Sequence, residues 1–166
     1  MILVTLGTQK FEMNRLVEAV DKLALEIDEE IFIQKGNSTY VPQNCKYKDF
    51  VERNEFAKMI EKCSVLIAHA GVGSIMTGIN ANRPVIVVPR LAKYNEHVDD
   101  HQKQIAEAFA SKKCVLYCKN LKKLPQMVEE ARNFEFAPYE MKGGKIEDII
   151  MSYISIFEKP DDGGKK

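Results

Sequence analysis

The sequence carries no excess charge of either sign, with 24 Lys and Arg against 24 Asp and Glu. No global field therefore gathers nucleic acid or acidic membrane, and any bound anion must be held locally by backbone N–H groups and a few side chains. Cys-x-x-Cys pairs are also missing. Cys45, Cys63, Cys114 and Cys118 stand apart, two of them in or beside apolar runs. They read as reduced thiols of a reducing compartment, not as a zinc site or a disulfide frame. No stretch approaches the roughly 20 apolar residues of a membrane span. The opening Met1–Leu6 has no basic leader and its apolar run stops at Gly7, so no signal peptide is expected and the chain reads as cytoplasmic. The first β–α turn lacks Gly-x-Gly-x-x-Gly, and the second strand closes on Gln34-Lys35 without an acid for a ribose. Nicotinamide and flavin dinucleotides are thereby disfavoured, and with no Walker A loop so is P-loop ATP hydrolysis. No cofactor is expected.

What is present is an alternation of strand-like and helix-like segments over 166 residues, enough for one domain with a substantial core. Strands are expected at Ile2–Leu6, Glu30–Gln34, weakly at Lys46–Phe50, then Val65–Ala68, Val85–Val88 and Cys114–Tyr117. Helical spacing runs through Met13–Ile27, Asn54–Lys62 with Asn54 as N-cap, Gly71–Ala81, Glu96–Ala110 and Leu121–Arg132. Val65-Leu66-Ile67-Ala68 is apolar throughout, as a strand covered on both faces must be. The class is α/β: a doubly wound, Rossmann-like parallel sheet of about six strands in one domain. The usual order 3-2-1-4-5-6 sets the first and fourth strands side by side at the switch point, where ligands bind beyond the strands' carboxyl ends. Gly7-Thr8-Gln9 and His69-Ala70-Gly71-Val72-Gly73-Ser74 both fall there.

In the second of these loops, Gly71 and Gly73 permit close approach, the helix start presents free N–H groups, and Ser74 adds a hydroxyl. Together they suit a pyrophosphate; a plain tight turn is the alternative. Asn95-Glu96-His97-Val98-Asp99-Asp100-His101-Gln102 mixes donors and acceptors as a hydroxyl-rich sugar requires. A solvated acidic helix start stabilised by its dipole is the alternative. His97 and His101 at i, i+4 permit a zinc reading, but no third ligand is evident and no metal is expected. Arg90, past the fifth strand, either meets a phosphate, pairs with this cluster, or does neither. His69 is a base by residue type, yet its place beside the glycines suits a structural or phosphate role.

Four segments carry a resemblance. Val4–Gln9, His69–Ile75, Pro84–Arg90 and Glu96–Gln102, in this order and spacing, resemble the carboxyl-terminal donor-binding domain of family 28 GT-B glycosyltransferases. The likeness runs from Met1 to about Tyr117. Within the family it is greatest to Alg13-like and PssE- or EpsF-like subunits of polysaccharide assembly (exopolysaccharide and capsule), in which this half is a separate chain. The resemblance implies that Gly7, Thr8 and Gln9 face the diphosphate and that Asp49–Val51 reads uracil with Phe50 alongside. It implies that Gly71, Val72, Gly73 and Ser74 hold the diphosphate, and that Asp100, His101 and Gln102 meet the sugar. Thr77 stands where many relatives carry a ribose-binding acid. No catalytic base is expected in this half. The resemblance implies a UDP-sugar donor, a lipid-linked acceptor and an Alg14-like membrane-associated partner, with contact to the membrane only through that partner. A homo-oligomer is allowed. The other reading is a non-catalytic accessory that stabilises or activates a partner transferase.

The domain is expected over 1–157. Its last part, 146–157, reads as a helix apolar nearly all round, which either docks on its own sheet or meets another chain. Residues 158–166 read as a disordered polar tail.

Overall fold

A computed structural model describes residues 1–140 and 147–148. The expected carboxyl-terminal helix, apart from Glu147 and Asp148, and the polar tail lie outside the described residues.

Six parallel strands form one sheet in the order β3-β2-β1-β4-β5-β6: β1 Ile2–Thr5, β2 Ile31–Gln34, β3 Lys46–Lys48, β4 Val65–His69, β5 Val85–Val88 and β6 Leu116–Tyr117. Five α-helices join them: α1 Asn14–Leu23, α2 Arg53–Lys62, α3 Val72–Asn80, α4 His101–Ser111 and α5 Leu124–Asn133. The period-2 alternation of each strand divides the core between the two faces. Ile2, Val4, Ile67 and Ile86 pack with Leu16, Val17 and Val20 of α1 and Val128 of α5. Leu3, Leu66, Val85 and Val87 pack with Ile60 of α2, Ile75 of α3 and Phe109 of α4. β1 pairs with both β2 and β4, Thr5 lying opposite Gln34 on one side and Ala68 on the other, so the strand reversal point falls between β1 and β4.

Several boundaries differ from the sequence expectation, each for a local reason. α1 stops at Leu23 and unwinds through i→i+3 bonds from the N–H of Leu25 to Lys22 and of Glu26 to Leu23. The acids Asp28, Glu29 and Glu30 beyond it oppose the negative carboxyl end of a longer helix. The N-cap of α2 is Glu52, whose carboxylate accepts from the N–H groups of Asn54 and Glu55 at 3.0 and 3.3 Å; Asn54 is inside the helix. α4 starts at His101 rather than Glu96. A single 3-10 turn, Ala92–Tyr94, and left-handed Asn95 take up the preceding chain. Side chains compete there with the helix ladder: Asp100 accepts from the N–H of Ala92, Asp99 accepts from that of His101, and Glu96 accepts from that of Leu91.

The loop between β2 and β3 is held by a buried carboxylate. Asp21, 2% exposed, accepts from the N–H groups of Gln43 and Asn44 and from the Tyr40 hydroxyl. Burial pushes the Asp21 carboxyl up, but those donors outweigh it and the net shift is downward.

Candidate functional site

At the carboxyl ends of β1 and β4 an open cavity of about 480 Å³ is lined by Gly7, Thr8 and Gln9 from one side and His69, Gly71, Val72, Gly73, Ser74 and Thr77 from the other. Thr5, Gln34, Val51, Arg53 and Phe56 complete it. Its titratable residues are Arg53 and His69, and among the described residues no carboxylate lines it.

His69, the last residue of β4, organises the floor. Its ring lies between two glycines: a Cβ on Gly7 would sit 2.4 Å from Nε2, and one on Gly71 would sit 2.2 Å from Cε1. Gly7 also adopts φ +71°, the left-handed region that favours glycine. The Gly71 N–H donates to Nδ1 at 3.1 Å, and Nε2 lies 3.3 Å from Ser74 Oγ. Burial first, then the Arg90 charge, pushes the imidazole down to about 4, against an upward pull from Gln102, so the ring is neutral at physiological pH.

α3 begins immediately after this ring. Gly71 is its N-cap, and the first intrahelical bond runs from the N–H of Ile75 to Gly71. The amides of Val72, Gly73 and Ser74 precede that bond and, with the helix dipole, favour an anion. Gly73 has nothing within 4 Å of where a Cβ would stand. Its lack of a side chain thus answers no packing demand of the protein, and it keeps the cavity open beside those amides. Thr77, one turn on, donates its hydroxyl proton to the carbonyl of Gly73 at 2.7 Å.

Three of the candidate residues, Arg90, Glu96 and Gln102, are buried with partners inside the protein. Arg90 is 1% exposed and donates to the carbonyls of Leu6 at 2.7 Å, Phe11 at 2.9 Å, Glu12 at 3.3 Å and Glu96 at 3.3 Å. It ties the chain after β1 to the chain after β5. Glu96, 3% exposed, holds Arg15 through two bonds of 2.6 and 2.9 Å. Gln102, 0% exposed, accepts from the Arg90 N–H at 3.1 Å and places its amide nitrogen 3.2 Å from His69 Nδ1.

His97, Asp100 and His101 belong to the loop and helix start beside the cavity but do not line it. His97 Nδ1 pairs with Asp99 at 3.0 Å, and among the described residues no cluster of three or more His, Cys, Asp or Glu could hold a metal. Phe50 is half exposed and outside the lining, which its neighbours Val51 and Arg53 enter instead. Sequence reasoning missed Thr5, Gln34, Arg53 and Phe56. The first two end β1 and β2, and the position at strand ends beside the switch point was the available signal. Arg53 and Phe56 reach the cavity because α2 begins there.

A parallel sheet of this order, with its cavity at the β1/β4 crevice and a glycine-bounded helix start as its wall, is the doubly wound, Rossmann-like half of a GT-B fold. The chain belongs to the glycosyltransferase family 28 C-terminal domain family, whose profile matches residues 1–151. It is similar to the UDP-N-acetylglucosamine transferase subunit ALG13 of Candida albicans, with 35% identity over 77 residues, 46% of this chain and 24% of that protein. It thus spans about a quarter of that relative's length. Among solved structures, the NMR solution structure of ALG13 has a TM-score of 0.57 at 19% identity, covering 91% of this chain and 93% of that one. The glycotransferase of kitacinnamycin has a TM-score of 0.62 at 18% identity, covering 91% of this chain and 37% of that one. No helix among the described residues is long and apolar enough to cross a membrane.

Proposed function

We propose that this chain is the donor-binding subunit of a two-component glycosyltransferase, holding a UDP-sugar with its diphosphate at the start of α3. The observation that carries the reading is the empty space at Gly73 beside the α3 amides, inside the switch-point cavity. In transfer, the bond from the sugar's anomeric carbon to the diphosphate breaks and one to an acceptor oxygen forms. The leaving diphosphate gains charge that oriented N–H donors stabilise. The acceptor's proton needs a base. No carboxylate lines the cavity among the described residues, and His69 is buried with its imidazole held down to about 4. Base and acceptor site accordingly come from a second subunit, Alg14-like and membrane-associated, that presents a lipid-linked acceptor in glycan or exopolysaccharide assembly. The printed name of the Candida albicans relative makes UDP-N-acetylglucosamine the first donor to try.

Calorimetric titration with UDP and a panel of UDP-sugars tests this, with Gly73→Asp as the control. Binding that the substitution abolishes supports the donor site; robust transfer to a lipid-linked acceptor by the isolated chain would refute the two-component reading. One observation favours the accessory reading. The hydroxyl proton of Thr77, which the resemblance sets where many relatives carry a ribose-binding acid, is already engaged by the Gly73 carbonyl. Absence of UDP binding even with the partner present would select that reading.

A further inference from the structure

Four of the five arginines are bonded within the protein. Arg15 holds Glu96, Arg83 donates to the carbonyls of Glu61 and Cys63, Arg90 to those of Leu6 and Phe11, and Arg132 pairs with Glu29 and Glu129. Arg53 does not follow them. Its guanidinium has no hydrogen bond or ion pair among the described residues, and it lines the switch-point cavity.

The reason lies in its neighbours. Arg53 is the first residue of α2, and the carboxylates of Asp49, Glu52 and Glu55 stand close to it in the chain. Each is engaged elsewhere. Glu52 caps α2 through the N–H groups of Asn54 and Glu55, Glu55 pairs with Lys48 of β3 at 2.6 Å, and Asp49 pairs with Lys35 at 2.7 Å. The guanidinium is left without a counter-charge on the wall it shares with Val51 and Phe56. A guanidinium stays charged throughout the physiological range, whereas buried His69 is neutral there. Among the described residues the lining thus holds one charged side chain, a cation, on the α2 side, and the α3 amides stand on the other.

We propose that Arg53 is a ligand for a diphosphate in this cavity: its guanidinium takes phosphate oxygens from the α2 side while the α3 amides hold the group from the other. A diphosphate presents more oxygens than one helix start can meet, and the planar fork of Arg suits two of them at once. That the diphosphate belongs to a nucleotide-sugar rests on the donor-site reading above. On that reading, the guanidinium faces the charge that grows on the leaving group as its bond to the sugar breaks. The competing occupant is the nucleobase, whose carbonyl oxygens carry no formal charge. Charge therefore separates the two.

Calorimetric titration of the full chain with inorganic pyrophosphate and with UDP is the test. Arg53→Gln should weaken both by a similar factor, about tenfold for a charge-assisted hydrogen bond discounted for solvent screening at an exposed site. It should also flatten the fall of UDP affinity with added salt. Arg53 is exposed and the cap at Glu52 is untouched, so the substitution leaves the fold intact. Lys58→Gln removes an exposed cation of the same helix outside the lining and should leave both affinities within about twofold. A loss confined to UDP, with pyrophosphate unaffected, would assign Arg53 to the nucleoside and overturn the proposal. So would unchanged affinity for both ligands, or an equal loss on Lys58→Gln, which would reduce the effect to net charge. UDP binding that Gly73→Asp abolishes and Arg53→Gln leaves intact keeps the donor-site reading and overturns the role of Arg53. Pyrophosphate binding that Arg53→Gln weakens, in a chain that binds no UDP, upholds Arg53 and refutes the donor-site reading alone. A wild-type chain that binds neither ligand overturns both.

Discussion

Replacing Gly73 by alanine should raise stability and destroy affinity together. Gly73 is the second residue of α3, and its Cβ position is open for 4 Å. A methyl group there meets no protein atom, while the unfolded chain loses conformational freedom, so the fold gains about 0.4–1 kcal/mol. For a domain of this length that corresponds to roughly 1–4 °C in Tm. On the donor-site reading, the same methyl occupies the space through which a diphosphate oxygen would reach the amides of Gly73 and Ser74. Losing two hydrogen bonds to a charged group at about 1.5 kcal/mol each costs roughly 3 kcal/mol, a weakening on the order of a hundredfold. Thermal unfolding and calorimetric titration with UDP, made on one preparation, read the two effects. A variant that melts higher yet binds UDP within about twofold of the wild type would place the diphosphate elsewhere. One that melts lower would show that the space is needed by the protein itself.

On the donor-site reading, Thr77→Glu puts a carboxylate where the family resemblance sets the ribose hydroxyls and should tighten UDP about tenfold, while weaker binding in titration would mean that the ribose lies away from α3. His69 sets a pH dependence of stability. Its folded value of about 4 lies below the unfolded value of about 6.5, so its contribution is complete above 6.5 and falls as pH drops toward 4. Denaturant titrations should show up to about 1.4 kcal/mol lost per pH unit in that window, and His69→Gln should remove this slope. Asp21→Ala strands the Gln43 and Asn44 amides in the β2–β3 loop and should cost about 2–4 kcal/mol. Because the Asp21 carboxyl is held below its ordinary value, the wild type retains that contribution above about pH 4 and loses it below, a loss that urea titration at descending pH will register.

The sheet was legible because its central strands are apolar on both faces. Val65–Ala68 and Val85–Val88 admit few other placements, and the order of segments then fixes the switch point. β3 was faint because all three of its residues are exposed at a sheet edge. The glycine loop was legible from residue type alone, since close approach needs glycine. Arg90, Glu96 and Gln102 were not. Their polarity reads as surface, and what turns them inward is partners far along the chain: the Leu6 carbonyl 84 positions away for Arg90 and Arg15 81 positions away for Glu96. Local patterns carry no trace of such pairs. The start of α4 was misplaced for a related reason, because the side chains that look like a helix start bond back onto their own loop.

Arg90 has a consequence of another kind. Its guanidinium donates to the carbonyl oxygens of Leu6 and Phe11, and its field reaches His69 strongly enough to disfavour a second positive charge there. An arginine does not titrate in the physiological range. The positive field at His69, which lines the cavity, is therefore one that pH does not switch off. A chain with zero formal charge can in this way stay indifferent to polyanions at large and still draw a small anion to one spot.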